Sequence, residues 1–182
     1  MIRILSITLL LFSCTTPAQD FQQKDTIGTD IYGAIYTLEN NTLYKNIDDK
    51  TLSYQNFAFG NVETIDILNS LEIIVFYRDF NALVILDKQL NPITEIQFYK
   101  NILFVNKGIV NNLWRYNDTD NKLELYDYNS KTVTASSVSI TDFEPLKMES
   151  NFNSVKLIGA DKTLVFNQYL NLTNTIIHQK ND

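Results

Sequence analysis

A phrase recurs in this chain at near-constant spacing, and that recurrence constrains its fold more than any other feature. NTLYKNIDDKTLS begins at Asn41, NALVILDKQLNPI at Asn81, NKLELYDYNSKTV at Asn121 and KTLVFNQYLNLTN at Lys162. The leucines that follow each opening residue, Leu43, Leu83, Leu123 and Leu164, are separated by 40, 40 and 41 residues. A second series, Tyr36, Tyr77 and Tyr116 with Ile158 in fourth place, runs just upstream. A period this regular marks a chain built of repeated supersecondary units, and it outranks the local reading of any one segment.

Each period reads as short strands. In the second, VETIDIL, EIIVFYRD, ALVILDK and ITEIQF are β-branched and aromatic runs, bounded by Asn-Ser, Phe-Asn and Leu-Asn-Pro. The third repeats the plan with ILFVNKGIV, LWRYND, KLELYDYN and TVTASSV; the fourth with PLKMES, SVKLIGA, TLVFNQY and TNTIIH. The first has three clear runs, IYGAIYTL, TLYKNID and TLSYQNF, with a poorer outer partner ahead of them. Four short strands per unit of about 40 residues is the blade of a β-propeller. The expected fold is therefore all-β: a β-propeller of about four 40-residue, four-stranded blades, either a small closed ring or a partial or shortened propeller. The four leucines are expected at the same core position in each blade. A β-sandwich or an up-and-down barrel would not demand the period.

The first residues are a separate object. MIR supplies a positive charge, and ILSITLLLF, Ile4 to Phe12, is an apolar run too short to span a bilayer. Residues 1–18 read as a secretory signal peptide and 19–182 as the propeller domain. Two exits compete: TPA before Gln19, or the lipobox-like LFSC before Cys14, whose thiol would then carry a lipid and give the only membrane contact. The expected location is the periplasm or outer membrane of a Gram-negative bacterium. The chain carries a net charge of −6, which argues against nucleic acid and anionic lipid as partners. With a single Cys there is no intrachain disulfide, so the core must hold the fold.

DIYGAIYTLENNTLYK and LEIIVFYRDFNALVILDKQLNPITEIQF resemble a group of small exported propeller proteins of Bacteroidota-type bacteria. The resemblance implies an envelope location and a propeller fold. It implies no activity, and no catalytic residue carries over. Asp25-Thr26-Ile27 is similar to the short O-glycosylation signal of exported proteins in that phylum. The Gly-His and Trp-Asp marks of WD repeats, the double Gly of kelch and the Trp-docking motif of quinoprotein blades are missing.

The search for chemistry returns little. The one histidine is His178, four residues from the end, with no Cys–His or Ser-His-Asp set around it. No His or Cys pair offers a zinc site, and no Gly-rich phosphate loop follows a strand. Asp118-Thr119-Asp120-Asn121 starts like a calcium loop but lacks its Gly and closing Glu. No enzyme, cofactor or metal is expected. Carboxylates for glycoside hydrolysis would be Glu63 and Asp66, or Glu144 and Glu149, but nothing singles them out. The turns between second and third strands should share one face, giving a candidate partner or ligand face of Asn41, Arg78, Asp79, Asn81, Arg115, Asp118, Asp120 and Asp161. Trp114 and Tyr116, two residues apart, point to one side of a strand and are candidates for stacking on a sugar. The function expected is a non-enzymatic envelope scaffold that docks a protein partner. The alternative is a module that binds a small ligand or glycan, with a glycoside hydrolase a distant third.

Overall fold

The structure, a computed structural model, describes residues 24–179. The leader, both cleavage sites and Cys14 lie outside the described residues. Four antiparallel sheets follow one another along the chain, each a meander of four strands. The first holds β1 (Lys24–Thr29), β2 (Ile35–Glu39), β3 (Thr42–Ile47) and β4 (Lys50–Tyr54). The second holds β5 (Thr64–Asp66), β6 (Ile73–Tyr77), β7 (Ala82–Leu86) and β8 (Pro92–Gln97). The third holds β9 (Ile102–Lys107), β10 (Asn112–Asn117), β11 (Lys122–Asp127) and β12 (Thr132–Ser136). The fourth holds β13 (Lys147–Ser150), β14 (Ser154–Ile158), β15 (Lys162–Asn167) and β16 (Leu172–Ile177). These are four propeller blades.

The first strand of each sheet is the inner one, since β9 lies against both β5 and β13. By the same order β1 is an inner strand, which corrects the expectation of an outer partner there. Its text, KDTIGT, has one large apolar residue and little alternation, so it reads poorly as a strand although it pairs along β2.

Three apolar clusters join the sheets. One packs Tyr36, Leu43 and Tyr54 against Ile73, Val75, Tyr77 and Val84. The next packs Phe76, Leu83 and Ile85 against Val105, Leu113 and Tyr126. The last packs Trp114, Tyr116 and Leu123 against Val155, Leu157, Leu164 and Phe166. The second sheet lies between two neighbours, so β6 and β7 are buried at every position and read as unbroken apolar runs. Each buried Leu contributes about 1.5–3 kcal/mol to this packing.

Leu43, Leu83 and Leu123 each face the following sheet, as the period requires. Leu164 does not. Side chains alternate across a strand, so one extra residue turns a side chain to the other face. The last interval is 41 rather than 40, and Leu164 points back at the third sheet, opposite Leu157. The face it leaves is crossed by Glu149, Lys156, Val165 and Asn174. The matching face of the first sheet is a row of Thr26, Thr37, Tyr44 and Ser53. The faces turned away from the stack are thus mostly polar. Among the described residues no apolar cluster joins the fourth sheet to the first.

The tyrosine series is no structural series. Tyr36 lies opposite Lys45, Tyr77 opposite Ala82 and Tyr116 opposite Leu123. The first sheet turns from β2 to β3 over two residues while the second and third use four. With these turn lengths and spacings of 41 and 39, the three tyrosines land on different rungs.

Candidate functional site

The turns between second and third strands do lie at one end of the molecule, beside the linkers that lead to the next sheet. Their asparagines are spent on that junction. Asn41 and Asn81 adopt the left-handed backbone, with φ of 63° and 51°, which Asn tolerates better than most residues. The Asn41 side chain donates to Gly60 O at 2.7 Å and accepts from Val62 N at 2.6 Å. That of Asn81 donates to Phe98 O at 2.9 Å and Lys100 O at 2.5 Å, and accepts from Ile102 N at 3.1 Å. Asp118 accepts from the Asn101 side chain at 3.0 Å, and Asp120 takes Lys100 and the Asn117 amide. The Lys100 and Asn117 donors hold the Asp120 carboxyl below its ordinary range. Asp161 receives His178 N on its backbone oxygen. Arg78 is exposed and 3.7 Å from Glu63, a surface pair of little energetic weight. Asp79 is exposed beside it. The face expected to bind is largely a set of clamps between sheets.

The stacking candidates are core. Trp114 and Tyr116 do share a side of β10, but that side is packed against the fourth sheet and both are 0% exposed. Neither ring face is open to a sugar. The Trp114 indole N–H donates to Asn151 O at 3.2 Å.

The carboxylates form no working pair. Asp66 accepts from Leu68 N and from Lys107 N, each at 2.7 Å. Burial raises its carboxyl above the usual range, against the pull of these bonds and of Lys107. Glu63 is half-exposed beside Arg78. Glu149 is tied to Lys147 at 2.7 Å, which lowers it, and Glu144 is exposed. His178 sits between Thr163 Oγ1 and Ala160 O, closing β16 onto the turn before β15. Among the described residues no group of three His, Cys, Asp or Glu side chains could hold a metal ion.

Sequence reading missed the opposite end. There the first-to-second-strand loop of every sheet carries an exposed large apolar side chain: Ile31 at 86%, Leu71 at 54%, Val110 at 72% and Phe152 at 40%. Tyr32 and Ile109 are exposed beside them. A mostly apolar cleft of about 460 Å³ opens between the first two sheets at this end, along Tyr32, Ile47, Leu52 and Leu71.

Polar side chains hold each of these loops, with a buried lysine beneath the first three and an exposed asparagine at the fourth. Asp30 accepts from Tyr32 N, Ala34 N and the Tyr36 hydroxyl, and stands 3.8 Å from the buried Lys45 ammonium. Burial alone would raise Asp30; the hydrogen bonds and Lys45 bring it below the ordinary carboxylate range. Asn69 accepts from Leu71 N and donates to Glu72. Glu72 also binds the Tyr128 hydroxyl at 2.6 Å and Lys107 Nζ at 2.9 Å, and these contacts outweigh burial and lower it. Lys107 is 1% exposed on its side chain, lies 4.8 Å from the Tyr128 ring and donates to Val110 O. Asn151 caps the fourth loop through Asn153 N and Ser154 N. A lysine alternating with apolar residues in a strand reads as solvent-facing, and an isoleucine in a loop reads as core. Both readings fail here, so the sequence concealed the arrangement.

No protein-family model and no curated protein matches the sequence. Solved structures do match in fold. A catalytically inactive virginiamycin B lyase from Staphylococcus aureus with quinupristin aligns over 92% of this chain and 59% of its own, at TM-score 0.64 and 17% identity. A Bacteroides caccae protein of unknown function aligns over 89% and 63%, at 0.64 and 11%. The Neurospora crassa Pan2 WD40 domain aligns over 79% and 49%, at 0.56 and 10%. The chain thus spans about half to three-fifths of the length of these neighbours. At such identities they share the propeller architecture alone. One of them is a lyase, so the fold does not by itself exclude catalysis.

Proposed function

We propose that this chain is a non-enzymatic interaction platform of a Gram-negative cell envelope, exported by the leader read in residues 1–18. It docks a protein partner on the end formed by the first-to-second-strand loops. One observation carries this reading: all four sheets present an exposed apolar side chain at the same end, and polar side chains fix each loop that does so. Exposed apolar groups gathered on one surface mark protein contacts, and loops held rigid before binding lose little entropy on docking.

The test is capture of partners by tagged protein from gently solubilised envelope of its own cells, read by mass spectrometry. One protein at near-equal amount is expected. The triple variant Ile31→Ser, Leu71→Ser, Val110→Ser should recover at least tenfold less, while Asp79→Ala retains it. Equal recovery by the triple variant, or no partner at all, would contradict the proposal.

A further inference from the structure

The second and third sheets part at the rim into a cleft of about 500 Å³. Its walls are Ile96 and Phe98 on one side, Tyr126 and Val133 on the other, with Tyr99, Lys100 and Lys131 at the mouth. Its volume suits a small ligand. Arg115 lies at the bottom with its side chain 8% exposed.

Arg115 is held as a receptor group would be. Its guanidinium carbon is 4.3 Å from the Tyr126 ring centroid and 5.2 Å from that of Phe98. Those rings meet edge-to-face at 5.4 Å, which fixes both. Nε donates to Glu124 Oε2 at 2.7 Å. The other Glu124 oxygen is taken by the Asn117 amide at 3.0 Å. Glu124 therefore orients Arg115 through one nitrogen and is itself consumed. The two terminal amino groups of Arg115 have no hydrogen-bond partner among the described residues, and the cleft is where the side chain meets solvent.

A guanidinium has five N–H donors, and its outer fork matches a carboxylate with two parallel bonds. The terminal amino groups of Arg115 meet solvent in the cleft, where a carboxylate can take the place of water. The cations that line the cleft are Arg115, Lys100 and Lys131, with Lys100 already paired to Asp120. The one acid along it is Glu95, which pairs with Val84 in β7, and Val84 faces the first sheet. The Glu95 side chain therefore points to the far side. Tyr99, wholly exposed, offers a ring wall at the entrance.

We propose that this cleft binds a small organic acid of sugar size, its carboxylate received by the terminal amino groups of Arg115 and its body lying against Tyr99. The site is separate from the partner face, and each stands or falls alone. The probe is galacturonate, titrated into ¹⁵N-labelled mature protein and followed by NMR, with neutral galactose and inorganic phosphate alongside. Saturable shifts are expected at the Arg115 Nε–H, Tyr99, Lys100 and Lys131, with galactose binding at least tenfold more weakly. Arg115→Lys keeps the charge beside Glu124 and loses the fork, so galacturonate should weaken at least tenfold. Tyr99→Ala, outside the core, should weaken it several-fold and decides the matter if Arg115→Lys does not fold. No saturable galacturonate binding, equal binding of galactose, tighter binding of phosphate, or affinity unchanged in the folded variants would each overturn the proposal.

Discussion

Asn81 shows what a single turn residue does in this molecule. Its left-handed backbone makes the turn, and its side chain fastens that turn to the linker entering the third sheet. Asn81→Ala should cost about 2–3 kcal/mol, because it strains the backbone and leaves Ile102 N and two carbonyls short of a partner. Asn81→Gly keeps the φ and loses only the clamp, so it should cost about 1 kcal/mol less. Urea unfolding of the three proteins separates the two contributions. The sequence did reveal that asparagine works in these turns. It did not reveal that the amide is already bonded, since the linker partners lie about twenty residues away and are backbone atoms. Arg115 was legible only as a charge near a turn; its burial comes from Tyr126 on the adjoining strand and from Phe98 past the end of the second sheet.

The sheets were legible in proportion to their apolar alternation. β6, β7, β10 and β11 carry continuous or alternating large side chains and read plainly as strands. β1 does not, because its pairing energy comes from backbone bonds to β2 rather than from its own side chains. The turned fourth sheet was visible as the interval of 41, yet its meaning needed the register. The pair Thr163→Leu with Leu164→Thr would restore an even period. It should nevertheless destabilise the protein by about 2–4 kcal/mol, since it takes Leu164 out of the cluster shared with the third sheet. A swapped protein as stable as the parent in thermal unfolding would mean the fourth sheet packs the other way.

At the scale of the molecule, buried ion pairs set a pH dependence. Asp30 and Glu72 titrate below their ordinary range in the folded state, each held there by hydrogen bonds and a buried lysine that outweigh burial. A lowered acid stabilises above its unfolded pKa, and that stability is lost as pH falls through the folded one. Asp66 has the opposite sign. Raised by burial, it favours the fold most at low pH and less as pH climbs through its folded value. Asp120 and Glu149 are lowered as well, so the lowered acids outnumber the raised one and stability is lost between about pH 5 and 3. Glu72→Gln should flatten that acid limb in urea midpoints taken across the range. An unchanged limb would place the acid sensitivity elsewhere.

The central claim is that a partner covers the end built of the rigid first-to-second-strand loops and leaves the asparagine clamps alone. Hydrogen exchange of the captured complex against the free protein tests it most directly. Amides of residues 30–34, 69–72, 108–111 and 151–153 should slow on binding, while those of 78–81 and 118–121 stay as they were. Protection at the asparagine turns, with the apolar loops unchanged, would contradict the account.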